Sequence, residues 1–246
     1  MQGATLLSET LAQYTALMIM RKTYGDDMIH KFLRYEMDRY LRARSFERRK
    51  ERPLLMVEPE QSYIHYQKGG IALYYLAEMI GEARVNAALK SVVDSYAYQG
   101  PPYPTAYALV DRLREQTPPE LHYLIRDLFE EITLFGNRTK TAAATKTEDG
   151  KYLVKISVEC RKYKSDETGN ETEAAMDDFV EIGAFAKAEP GKRCGKLLYR
   201  KRVQLSHGTH ELEFVVDEKP HEAGIDPRNL LIDRVPDDNL KRIVLK

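Results

Sequence analysis

The sequence has no tryptophan, only two cysteines and no surplus of charge, with 38 basic residues against 38 acidic ones in 246. Each shortage excludes something. Two cysteines, Cys160 and Cys194, are too few for a disulfide-stapled scaffold. A single bridge between them remains open, and two free, partly buried thiols are the expected state. Balanced charge gives no global field to draw in a polyanion, so nucleic acid is not expected among the partners. Apolar runs such as Ala16 to Met20 fall far short of the roughly 18 residues that a membrane span needs. Met1-Gln2-Gly3 has no basic stretch and leads into a helix pattern, so no secretory signal is expected and residues 1–246 read as soluble.

What is present is an apolar fraction of 43%, enough for real cores, arranged with two different periods. From Thr5 to Tyr24, Leu6, Leu7, Leu11, Tyr14, Leu17 and Met18 recur at helical spacing. Ala12, Ala16, Ile19 and Met20 widen that surface, which predicts a mostly buried helix. Gly25 ends it, and Asp26-Asp27 opens a second helix with a stripe of Ile29, Leu33, Met37 and Tyr40. That helix runs into a basic patch, Arg42 to Arg52, expected to be a solvated helix end and loop; contact with anionic lipid or nucleic acid is the competing reading. Further helices are predicted over 66–80 and 82–96, and from a cap at Thr105 through Glu115. Thr117-Pro118-Pro119-Glu120 has the form of a capping box for another.

Beyond Phe135-Gly136-Asn137 the period drops to two. Tyr152, Val154, Ile156 and Val158 alternate with Leu153, Lys155, Ser157 and Glu159. Similar strands fit 139–146, 179–187, 197–205 and 210–216, joined by turns such as Glu148-Asp149-Gly150 and Pro190-Gly191. The predicted class is α+β: a helical bundle over residues 1–134, then an antiparallel β-sandwich over 135–246.

Two places could carry chemistry. Ser8-Glu9-Thr10-Leu11-Ala12 sets one carboxylate early in an apolar helix. Glu9 reads either as a solvated first-turn glutamate favoured by the helix dipole or as a buried group that needs a partner or a metal. Tyr66-Gln67-Lys68-Gly69-Gly70 opens a helix 57 residues later. A tyrosine there can aim its hydroxyl into a cleft, and the two glycines allow close backbone approach. An ordinary half-buried tyrosine is the alternative, since the chain has 16.

Taken together, these segments resemble the aminopeptidase N-like zinc metallopeptidases, the gluzincins. That family carries His-Glu-x-x-His, then Asn-Glu-Gly-Phe-Ala with the third zinc ligand, then Tyr-Glu-Lys-Gly with a tyrosine that stabilises the transition state. Ser8-Glu9-Thr10-Leu11-Ala12 stands in the place of the second motif, and Tyr66-Gln67-Lys68-Gly69 keeps three of the four positions of the last. The stretch Phe32 to Tyr40, Pro101-Pro102-Tyr103-Pro104-Thr105 and Ala223-Gly224-Ile225-Asp226-Pro227 look most like a bacterial subgroup. In that subgroup the peptidase can be joined to a membrane-spanning transporter permease region.

The resemblance implies a zinc-dependent aminopeptidase acting on peptide substrates, with Glu9 holding the metal and Tyr66 stabilising the oxyanion. It also implies a parent associated with a bacterial membrane. Counted back from Glu9, the histidine motif and its catalytic glutamate would precede Met1, so residues 1–246 alone are expected to be inactive and to retain no zinc. The truncated face is expected to expose apolar surface. Ala16 stands seven residues after Glu9, where the family often has a second glutamate. The histidines, His30, His65, His122, His207, His210 and His221, form no helical i, i+4 pair, and only His65 adjoins the site; His207 and His210 flank a glycine turn and read as surface. Tyr96, Tyr98 and Tyr103 are candidate cleft residues or plain packing. A non-catalytic protein-interaction module on the same scaffold is the alternative to an enzyme fragment.

Overall fold

Helices precede strands, and the fold is α+β. The computed structural model describes residues 3–189 and 195–246. The chain divides into two units: Met1–Thr133 with Lys164–Glu171, and Leu134–Tyr163 with Thr172–Lys246. The excursion at 164–171 groups with the helices although it lies inside the strand-rich half of the sequence.

The helical unit contains α1 (Leu11–Tyr24), α2 (Asp26–Phe46), α3 (Gly69–Ile80), α4 (Glu82–Tyr96), α5 (Ala106–Gln116) and the short α6 (His122–Ile125). Its centre is α3, where every residue from Gly69 to Ile80 except Glu78 is buried. An apolar surface on all sides demands that placement. The α2 stripe of Ile29, Leu33, Met37 and Tyr40 is wholly inaccessible to solvent. Against expectation, α1 is not mostly buried. It packs on α2 and α3 through one face, with only Tyr14 and Leu17 buried, while Ala12, Ala16 and Ile19 face solvent. Apolar width in the sequence does not become burial where only one side of a helix is covered.

One cap prediction needs correction. Thr117 does not cap the following turn; its hydroxyl donates backward to the Leu113 carbonyl at 2.7 Å, and a 3-10 turn begins at Pro119. A threonine near a helix end has both partners in reach, and here the preceding helix takes the bond. Thr105 occupies the N-cap position of α5 without a side-chain bond. The Arg42–Arg52 patch is largely neutralised within the unit. Arg44 pairs with Glu51 at 2.7 Å and Glu171 at 3.1 Å, Arg52 with Glu58 at 3.3 Å and with Glu167, and Lys50 with Glu167 at 3.6 Å.

The strand-rich unit holds two four-stranded sheets. In one, β2 (Arg138–Lys146), β3 (Tyr152–Cys160), β8 (Gly208–Val216) and β11 (Val244–Leu245) lie in the order β11-β2-β3-β8, antiparallel except for β11 on β2. In the other, β6 (Asp177–Phe185), β7 (Leu197–Ser206), β9 (Glu222–Ile225) and β10 (Leu240–Arg242) lie in the order β10-β9-β6-β7, all antiparallel. Three short strands, β1 (Ile132–Phe135), β4 (Lys162–Ser165) and β5 (Glu171–Ala174), form a further small sheet. Val154, Ile156, Val158 and Phe214 supply buried side chains from the first sheet, and Val180, Ile182, Ala184 and Ile225 from the second. Tyr199 of β7 stacks on Phe214 of β8 with ring centroids 4.0 Å apart. Cys160 is buried, which pushes its thiol up to about 12; Cys194 and the Pro190-Gly191 turn lie outside the described residues.

The segment Ala223 to Pro227 has a physical explanation in this unit. A Cβ on Gly224 would stand 2.0 Å from the Asn239 carbonyl oxygen and 2.3 Å from Thr139 Oγ1. The Thr139 hydroxyl donates to that same carbonyl at 2.6 Å, so backbone and hydroxyl meet where only hydrogen fits. Gly224→Ala should therefore cost about 1–3 kcal/mol, read as a lower urea midpoint at unchanged slope. Asp226, at φ 43°, is buried and accepts the Leu230 and Leu231 amides at 2.9 and 3.0 Å, tying the following loop. Burial nevertheless holds its carboxyl well above the usual range, at about 7. Beside it Arg228 donates to Glu181 twice, at 2.8 and 2.6 Å, and both residues are buried. Among the described residues, no helix is long and apolar enough to cross a membrane.

Candidate functional site

The site is built from two π-helical turns. Leu6–Thr10 leads into α1, and Tyr63–Lys68 leads into α3. Such turns are rare and recur at functional positions, because one extra residue per turn re-aims the side chains around it. Here the two turns lie against each other. Thr10 Oγ1 donates to the His65 carbonyl at 2.6 Å in a buried bond. Gly69 and Gly70 make the approach possible: a Cβ on the first would sit 2.5 Å from Thr10 Oγ1, and on the second 2.6 Å from Gln13 Cγ.

That contact brings together the two residues singled out in the sequence. The half-buried Tyr66 hydroxyl donates to the half-buried Glu9 carboxylate across a separation of 57 residues. The bond to the carboxylate raises the phenol pKa, so the hydroxyl stays protonated through the physiological range. Glu9 is therefore not a free first-turn glutamate.

His65 stands beside this pair, 3% exposed, its ring edge-on to Tyr66 with centroids 4.7 Å apart. Burial lowers its pKa against the opposing pull of Glu9, and its Nδ1 has no hydrogen-bond partner. Next along the turn, Gln67 hydrogen-bonds the buried Glu36 carboxylate, as does Gln13; burial raises the Glu36 pKa, and its Oε2 is left without a partner. Lys68 closes the turn in the interior, with Glu51, Tyr40 and Arg44 around it.

No family model matches the chain, and no curated protein matches it.

The remaining histidines are engaged in other bonds or placed elsewhere. His122 is 2.9 Å from the Thr117 carbonyl, His210 is 2.8 Å from the Ser206 carbonyl, and His207 Nδ1 is 3.4 Å from Glu173. Tyr98 and Tyr103 are exposed to solvent. Among the described residues, no group of three or more His, Cys, Asp or Glu is arranged to hold a metal ion. Zinc takes four donors; the Glu9 carboxylate offers one, and the buried His65 ring, its Nδ1 unpartnered, stands beside the Tyr66–Glu9 pair.

Sequence reasoning missed Glu36 and the Lys68–Glu51 pair. Lys68 was visible as part of Tyr66-Gln67-Lys68-Gly69, but its burial was not. Glu51 follows Arg48, Arg49 and Lys50 and therefore reads as surface.

Proposed function

We propose that this chain carries the later part of a gluzincin-like aminopeptidase domain, and that residues 1–246 alone do not turn over peptides. The observation that carries this reading is the Tyr66–Glu9 contact. The resemblance assigns these two residues to one catalytic site, and they lie 57 positions apart in the chain, yet hydroxyl and carboxylate meet.

In the complete enzyme, Glu9 contributes one carboxylate donor, and the histidine donors come from residues upstream of this chain. Zinc, when bound, supplies Lewis acidity toward a peptide carbonyl. The residues of this chain have simpler tasks. Tyr66 keeps its proton and offers it as a hydrogen bond to the oxyanion that develops when the carbonyl is attacked. The lowered His65 pKa leaves a neutral ring beside it, so no second cation competes for Glu9. The partners on this reading are a peptide substrate, the preceding part of the parent, and a transporter region in the membrane.

The test is direct. Residues 1–246 should show no chelator-sensitive cleavage of aminoacyl p-nitroanilides. A chain extended upstream through a His-Glu-x-x-His segment should gain it and lose it again in Glu9→Ala. An extended chain that stays inactive with zinc bound would reject the enzyme reading. The solvent-facing Ala12, Ala16 and Ile19 favour a second reading, a protein-interaction module without catalysis. That reading requires Glu9→Ala to leave partner binding unchanged.

A further inference from the structure

Lys68 is the most deeply buried lysine near the site, with its side chain 2% exposed. Its ammonium has poor compensation. The nearest carboxylate oxygen, Glu51 Oε1, is 3.9 Å away, and Nζ has no hydrogen-bond acceptor. Glu51 does not need it: Tyr40 donates to Oε1 at 2.5 Å and Arg44 to Oε2 at 2.7 Å. The face of the Tyr40 ring lies 5.7 Å from Nζ and adds a weak attraction. Burial accordingly brings the Lys68 pKa down to about 8, with Arg44 and Lys164 pushing the same way. An apolar side chain of the same length would avoid the cost of desolvating a charge but would have no attraction directing it toward Glu51.

What the charge can supply is direction. Tyr66 and Lys68 belong to the same π turn and have different partners, Glu9 for one and Glu51 for the other. Residues two apart on a helical turn point to roughly opposite sides, since each step rotates by about 100° or slightly less. Drawing Lys68 inward therefore turns Tyr66 outward.

We propose that Lys68 is a positioning residue: held in the interior by Glu51, it fixes the rotation of the Tyr63–Lys68 turn and so keeps the Tyr66 hydroxyl on Glu9. Without that anchor the turn relaxes toward ordinary α-helical register, which removes one residue from it and swings Tyr66 away. The role assigned to Tyr66 rests on the aminopeptidase reading. The geometric claim does not, and its test involves neither metal nor turnover, so either can fail while the other stands.

The experiment is NMR of the 246-residue chain carrying tyrosine labelled with 13C at Cζ, with the Tyr66 signal assigned by its loss in Tyr66→Phe. Glu9→Gln defines where that signal lies once the charged acceptor is gone. Lys68→Met should move the Tyr66 signal to the Glu9→Gln position. Over the same comparison the urea midpoint should stay level or rise. Lys68→Arg, which restores the cation, should bring the signal back. A folded Lys68→Met chain whose Tyr66 signal stays at the wild-type position overturns the proposal. Should Lys68→Met not fold, Glu51→Gln serves in its place. That variant keeps an acceptor oxygen for Arg44, turns its amide N–H toward the Tyr40 oxygen, and removes the charge that draws Lys68 inward, and the same two outcomes decide.

Discussion

On the proposed aminopeptidase reading, Tyr66→Phe in an extended chain that cleaves aminoacyl reporters should lower kcat by about 10²–10³ and leave KM within a few-fold. The variant keeps the ring, its packing and the neighbouring His65 contact, and removes only the hydroxyl. In the resting site that hydroxyl donates to Glu9. A donor aimed at charge that forms only in the transition state contributes little to substrate binding, which is why the loss should fall on kcat. Steady-state kinetics on two or three reporters would show it. A loss confined to KM would mean that Tyr66 binds substrate and does not stabilise the oxyanion.

Arg228→Ala should lower the unfolding free energy by about 3–5 kcal/mol. Arg228 and Glu181 are 5% and 7% exposed and share two hydrogen bonds, so truncating the cation strands a carboxylate in the interior. Asp226 lies close enough for Glu181 to raise its pKa, so the stranded charge also faces a second buried carboxyl. The double variant Arg228→Met with Glu181→Leu removes both ions together and should recover most of that loss. Urea melts of the single and double variants would separate the value of the pair from the cost of breaking it. Equal loss in both would place the stabilisation in packing around Arg228 and not in charge compensation.

Much of this architecture could be read in the sequence, for reasons visible in particular residues. Ile29, Leu33, Met37 and Tyr40 form a stripe because each step of three or four residues returns to one face, and all four are fully buried. In β3, Val154, Ile156 and Val158 are buried as the two-residue period predicts, but Ser157 and Glu159 of the alternate set are buried too. Features that depend on distant neighbours could not be read. Nothing local to Ala12, Ala16 and Ile19 says that no described segment covers them. Nothing local to Thr117 says which of two carbonyl or amide partners wins. Glu51 in its run of basic residues looks solvated, yet it is 4% exposed, because Tyr40 on α2 and Arg44 converge on it. At the candidate site, the resemblance pointed to Glu9 and Tyr66 while residue type alone left both open, and the contact between them depends on Gly69, Gly70 and Thr10, whose close approach is a tertiary fact.

The π turns at Leu6–Thr10 and Tyr63–Lys68, two of the three among the described residues, also bear on how this chain tolerates insertion and deletion. Each holds one residue more than an α-helical turn of the same height. Deleting a single residue from Leu6–Thr10 would leave a regular, continuous helix with its core stripe intact from Leu11 onward, yet Glu9 or its replacement would be rotated by about 100°. A helix would thus survive where the site would not. Single-residue gaps at these two places therefore separate chains that share this scaffold from chains that share this site, even when every other position aligns.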